Sequence, residues 1–348
     1  MCVCVCVNIF TRMHFDYSNL ISIENLFQAW SEFRKGKSKR FDVQEFERHV
    51  EDNLFGLHQR LKNKTYRHGN YYSFYVQDPK QRHIHKANVA DRVVHHLLYT
   101  FLYKLFNSNF IYDSYSCRLK KGTHKGLERL EIFARKVSQN YTVDCWVLKC
   151  DIKKFFASVD HEVLLTLLKE KIKDGDIIWL LKQIIYSFYS DKGKGKGMPL
   201  GNLTSQVFAN IYLNELDQFV KHKLKMHHYI RYADDFLFLS KNKELLCKYV
   251  DVLRQFLEDT LKLELHPDKI IFRKLDWGID FLGYVVLPYY IVPRTKTKRR
   301  IFKKLKEKVG LENFNQSLQS YLGYLGHASS FKIAQELKNQ VWLWMNVR

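Results

Sequence analysis

The chain has no apolar run long enough to cross a bilayer and no convincing signal peptide, so neither a helical membrane protein nor an exported one is expected. No internal repeat and no low-complexity domain is apparent. Cysteine never occurs in the paired spacing of zinc sites: Cys2, Cys4 and Cys6 alternate with valine as in an edge strand, and three thiolates there would be an atypical ligand set. A true start at Met13 is at least as plausible as a metal site there, and residues 1–13 read as an unmatched N-terminal extension. Cys117, Cys145, Cys150 and Cys247 fall in or near predicted core elements and are expected to be reduced thiols in a cytoplasm. Acidic residues are in short supply, 36 against 57 Lys and Arg, for a net charge of +21. An excess of this size implies a polyanionic partner and salt-sensitive binding.

What is present reads as a globular enzyme. The 348 residues, 46% of them hydrophobic, can bury a sizeable core. The 21 Tyr and 25 Phe mostly fill that core and also supply planar surfaces for stacking on bases. The most informative stretch is Tyr232-Ala233-Asp234-Asp235, held between Tyr229-Ile230 and Phe236-Leu237-Phe238-Leu239 in a predicted β-hairpin. Two adjacent carboxylates at a turn suit divalent metal ions, although alone they also read as a solvated turn. Upstream, Trp146-Val147-Leu148-Lys149-Cys150 reads as a buried strand that delivers Asp151 at its end. Ionised carboxylates do not sit there without a partner or a metal. Together the three would form a carboxylate cage of hard oxygen ligands, able to take two divalent cations in an in-line phosphoryl transfer.

Between these segments lies Gly193-Lys194-Gly195-Lys196-Gly197-Met198-Pro199-Leu200-Gly201-Asn202, expected to be a flexible basic loop feeding a helix. It lacks the order of a nucleotide-binding P-loop, and alone it reads equally as an ordinary surface loop or as an anion site at a helix N-terminus. The helix after it carries Leu203, Val207, Phe208, Ile211, Tyr212, Leu216, Phe219 and Val220 on one face.

Asp151 with Phe156, Leu200-Gly201-Asn202-Leu203-Thr204-Ser205-Gln206, and Tyr232-Ala233-Asp234-Asp235 resemble motifs A, B and C of reverse transcriptases, in the right order. His266-Pro267-Asp268-Lys269 resembles the motif D segment and Phe281-Leu282-Gly283-Tyr284 the primer-grip hairpin. Pro79-Lys80-Gln81-Arg82, Asp91-Arg92-Val93-Val94-His95 and Asp113-Ser114-Tyr115-Ser116-Cys117-Arg118 resemble fingers motifs of the bacterial enzymes. The resemblance spans about Phe74 to Ser330.

It implies an α+β right-hand polymerase. Fingers would take residues 14–145, the palm 146–165 and 198–288 around an antiparallel sheet packed on two helices, with 166–197 returning to the fingers and a helical thumb over 289–348. By the same resemblance Asp151 and Asp234 ligate two Mg²⁺ ions, with Mn²⁺ able to substitute. Ile152 offers a backbone carbonyl, Asp235 supports the cage, and Lys269 donates a proton to pyrophosphate. Lys80 and Arg82 hold the incoming dNTP, Phe156 abuts its 2′ position, and Leu200, Gly201, Ser205 and Gln206 lie around it. Phe281, Leu282, Gly283 and Tyr284 grip the primer. Arg294, Lys296, Lys298, Arg299, Arg300, Lys303 and Lys304 face the RNA/cDNA hybrid, while Ile301, Phe302, Leu305 and Val309 keep an apolar stripe. Such a basic run also reads as a solvated face or a nuclear import signal.

Leu200-Gly201 and Ser205-Gln206 stand where most relatives have Gln-Gly and Ser-Pro. With Ala209-Asn210-Ile211-Tyr212-Leu213 and Tyr321-Leu322-Gly323-Tyr324-Leu325-Gly326-His327-Ala328, that departure is similar to the reverse transcriptases of diversity-generating retroelements. This implies a template-repeat RNA copied with errors at adenines, and a small basic accessory protein oligomer as partner. Two alternatives stay open, a phage-defence or retron-like reverse transcriptase and a non-catalytic maturase-like RNA-binding protein.

Overall fold

Four consecutive apolar side chains, Phe236 to Leu239, are each fully shielded from solvent, as a strand covered on both faces requires. They belong to one of the antiparallel sheets of the computed structural model, which describes residues 16–77 and 81–346. The Cys2–Cys6 strand, the Met13 start, Pro79 and Lys80 lie outside the described residues. The chain forms an α+β fold that divides into two compact units, one containing the residues up to Asn109 and Phe156–Tyr212, the other Phe110–Phe155 and Leu213–Arg348.

The first unit is mainly helical. Side-chain caps start several of its helices: Ser22 for Ile23–Arg34, Asn88 for Val89–Phe106, Asp160 for His161–Lys171 and Asp174 for Gly175–Ile185. Its hairpin pairs β1 (Tyr72–Val76) with β2 (Arg82–Lys86). The glycine-rich loop is pinned, contrary to expectation. Met198 and Gly197 donate their backbone N–H groups to the carbonyls of Phe156 and Val159, and His161 donates to Gly195. These bonds satisfy backbone groups that a free loop would leave to water.

In the second unit β3 (Trp146–Asp151), β4 (Tyr229–Tyr232), β5 (Asp235–Ser240) and β6 (Ile271–Lys274) form an antiparallel sheet in the order β4-β5-β3-β6. Successive side chains point to opposite faces. Leu237 and Leu239 join Val147, Ile230, Leu130 and Phe133 in one core, the last two from the helix Thr123–Val137. On β5 Phe238 packs with Tyr229 and, in the helix Lys243–Leu261, Tyr249. Residues 110–155, divided between fingers and palm in the sequence reading, thus fall wholly in this unit, because the helix Thr123–Val137 buries its apolar face on the sheet.

A second sheet follows, β7 (Ile279–Phe281), β8 (Tyr284–Leu287) and β9 (Tyr290–Pro293). Three helices, Thr295–Glu307, Phe314–Gly326 and Phe331–Asn346, then close a small core around Ile301, Leu305, Phe314, Leu325 and Leu337. Cys145 and Cys150 are buried free thiols, each pushed up to about 12 by burial. Cys117 and Cys247 correct the expectation, both being exposed: Cys117 lies in a loop and Cys247 on the helix Lys243–Leu261. Among the described residues no helix is long and apolar enough to cross a membrane.

Candidate active site

The sheet register sets Asp151 on β3 directly opposite Asp235 on β5. Like charges at such a position repel, so the pair destabilises the sheet unless something positive lies against it. Asp234 comes from the turn beside them. Tyr232 pairs with Asp235, which leaves Ala233-Asp234 as a two-residue loop with Ala233 at φ +55°. That left-handed conformation costs a non-glycine residue roughly 1–2 kcal/mol and needs its surroundings to hold it. One tie is the Ile152 N–H, which donates to the Asp234 carbonyl oxygen at 3.2 Å.

Burial pushes the Asp234 carboxyl up to about 6, with the charges of Asp151 and Asp235 adding to it and Lys269 opposing. Asp235 is also raised, again chiefly by burial, against the pull of Lys149. Lys269 Nζ donates to Asp151 Oδ1 at 2.9 Å from the turn Pro267–Lys269. Lys149 Nζ lies 3.0 Å from Asp235 Oδ2. Asp235 Oδ1 is buried without a hydrogen-bond partner. The expected three-carboxylate cage is therefore not closed: two carboxylates turn to lysines, and among the described residues no three His, Cys, Asp or Glu side chains are grouped to hold a metal ion. The donor set still fits a hard divalent cation. It offers three carboxylates, one with a buried orphan oxygen and two whose ionisation burial resists, and a cation would satisfy both.

Lys149 was missed in the sequence. It stands two residues before Asp151 on a strand, hence on the same face, and a lysine in that apolar run was the available signal. Arg231, fully buried in β4 just before the turn, was missed as well.

In the first unit Arg82 is exposed on β2. The same hairpin reaches the expected motif B segment, since the His85 N–H donates to the Leu200 carbonyl at 2.9 Å. Gly201, at φ +117°, lies against β2 so closely that a Cβ would stand 3.0 Å from Ile84 Cγ2. Phe156 and Leu200 are half-buried, Ser205 is buried and Gln206 exposed.

Back in the second unit, the expected primer-grip hairpin buries Phe281 and Tyr284 in the core and presents Leu282 and Gly283, both at positive φ, as its turn. Tyr324 donates its hydroxyl to the Gly283 carbonyl at 2.7 Å. Of the basic residues expected on the thumb, Lys296, Arg299 and Lys303 are exposed, and Arg300 and Lys304 are half-buried. Lys298 pairs with Glu336 and Arg294 with Asp280.

A profile of the family described as reverse transcriptase (RNA-dependent DNA polymerase) matches residues 76–286. The chain is 23% identical over 279 residues to the putative COX1/OXI3 intron 2 protein of Saccharomyces cerevisiae, covering 63% of this chain and 31% of that protein. It is 22% identical over 373 aligned residues to the group II intron-encoded protein LtrA of Lactococcus lactis subsp. cremoris, covering 84% of this chain and 58% of that one. The chain therefore spans about a third to three-fifths of the length of these curated relatives. In fold it is similar to the apo telomerase of Candida tropicalis, with a TM-score of 0.53 at 13% identity over 80% of this chain and 57% of that one.

Proposed function

The chain belongs to the reverse transcriptase family, and from that premise we propose that it is an RNA-directed DNA polymerase copying a template RNA into cDNA. The convergence of Asp151, Asp234 and Asp235 at one end of the two inner strands carries this reading, since a strand register that opposes two carboxylates has no structural advantage of its own. Two divalent cations, Mg²⁺ with Mn²⁺ able to substitute, would neutralise the developing charge and align the attacking and leaving oxygens. Asp151, Asp234 and the Ile152 carbonyl would hold them, with Asp235 in support. Lys269 would release Asp151 and supply a proton to the departing pyrophosphate. Phe156 would exclude a ribose hydroxyl, and Arg82 and Lys80 would bind the triphosphate. The exposed Lys296, Arg299 and Lys303 suit the phosphate backbone of an RNA/cDNA hybrid.

The finer proposal is an error-prone enzyme of a diversity-generating retroelement, working with an accessory protein. Its support is the motif B departure at Leu200-Gly201 and Ser205-Gln206. A reverse transcriptase of group II intron type is the second reading, favoured by the relatives. A non-catalytic maturase-like role fits poorly with three intact carboxylates.

Primer extension on a defined RNA template with Mg²⁺, followed by sequencing, tests all of these. Template-dependent cDNA is the expected product, and errors concentrated at adenines would select the retroelement reading. No extension on any RNA, with binding intact, would leave the maturase-like role.

A further inference from the structure

Arg231 enters none of the roles above, yet it is fully buried in the strand that leads into the Ala233-Asp234 turn. Its Nε and Nη2 donate to the two carboxylate oxygens of Asp217 at 2.8 and 2.6 Å. Nη2 also donates to Ser114 Oγ at 3.1 Å. The remaining arm, Nη1, donates to the Ala233 carbonyl oxygen at 3.1 Å. Tyr229 fills out the acceptor side by donating its hydroxyl to Asp217 Oδ1 at 2.8 Å. The main chain of Arg231 is fixed too, its N–H donating to the Asp113 carbonyl and its own carbonyl accepting from the Tyr115 N–H, each at 2.9 Å.

Stability alone does not account for this arrangement, because a buried ion pair gains little over apolar side chains of similar volume. What a guanidinium adds is a rigid plane of separately directed donors. Here one edge of that plane is locked on Asp217, so the other end stands at a fixed place and holds the Ala233 carbonyl. A peptide group is planar, so fixing the Ala233 carbonyl fixes the N–H and Cα of Asp234. The clamped residue is also the one at left-handed φ, where the backbone most needs an external hold.

We propose that Arg231 is a positioning residue: seated on Asp217, it clamps the Ala233–Asp234 peptide and so sets the angle at which the Asp234 carboxylate is presented to the divalent cation it would hold. This rests on the polymerase reading for its consequence, but not for its geometry.

Two variants separate clamping from folding. Arg231→Lys keeps the charge beside Asp217, but one ammonium cannot span from that carboxylate to the Ala233 carbonyl. Arg231→Met combined with Asp217→Asn removes both charges and keeps an acceptor for Tyr229. Each should lower kcat on the order of 10²-fold, while KM for dNTP and the Kd for primer–template stay within about threefold of wild type. Hydrogen exchange at the amides of residues 233–235 should accelerate in both variants, with the rest of β5 unchanged. Wild-type kcat in either folded variant would overturn the proposal, and so would unchanged exchange at the turn. Failure of both to fold would reduce Arg231 to a folding residue and overturn it equally. Should the wild-type chain extend no primer, the polymerase reading fails, and the exchange measurement alone decides the clamp.

Discussion

One hairpin carries charge in two opposite ways. At its base Arg231 and Asp217 are completely buried, and hydrogen bonds with Tyr229, Ser114 and Ala233 converge on them. At its tip Asp151, Asp234 and Asp235 are crowded and only partly neutralised by Lys149 and Lys269. Burial pulls the Arg231 guanidinium down, but the charge of Asp217 outweighs it and holds the group firmly protonated. The same burial pushes Asp234 up to about 6, because its neighbours there are carboxylates of its own sign. The base is a charge pair with its partners in place, and the tip has the features of a site that spends stability on a ligand.

The largest expected effect falls at the tip. Asp234→Asn should lower cDNA synthesis by about 10³-fold, the several kcal/mol that loss of a metal carboxylate removes. RNA binding, which rests on Lys and Arg, should stay within about twofold when measured by filter retention across a salt series. Substantial synthesis by the purified variant would show that the tip is merely a crowded turn.

At the base, removing one partner of the ion pair alone tells on folding. Asp217→Ala leaves a buried, uncompensated guanidinium and should cost about 3–5 kcal/mol of stability, read from the denaturant midpoint. A midpoint near wild type would mean that water or another acceptor reaches Arg231, and would erase the contrast.

The pH dependence of stability separates the regions further. The folded Asp234 carboxyl titrates near 6, above its unfolded value near 4, so the folded protein binds more protons between these limits and stability falls as pH rises through them. Faced by Asp151 and Asp235 against Lys269, this group should contribute a fall of at most about 3 kcal/mol, which Asp234→Asn should flatten. Thermal melts of both proteins from pH 4 to 7 without divalent cation check it; a parallel trend in the variant would assign the effect elsewhere.

The smallest effect probes a position proposed to act by shape instead of charge. Leu200 can offer no amide to a nascent base pair, and a hydrogen bond worth about 1 kcal/mol corresponds to roughly five- to tenfold in discrimination. Leu200→Gln should lower misincorporation opposite template adenine by that factor, seen by sequencing cDNA from one RNA. Equal error spectra would leave Leu200 as packing.

The sequence alone marked the strands and the helix around Asp151, Asp234 and Asp235, and the family resemblance pointed to Lys269. Phe236 to Leu239 read as a buried strand because a strand covered on both faces needs no polar alternation, and the stripe from Val207 to Val220 follows the helical period. Both are patterns of near neighbours. Only the tertiary structure decided that Arg231 joins Asp217, that Lys149 and Lys269 answer the carboxylates, and that the Gly193–Asn202 loop is pinned to residues 156–161. Hydrogen bonds and ion pairs form between groups that folding brings together, so their partners are set by strand order and register, which local sequence does not encode.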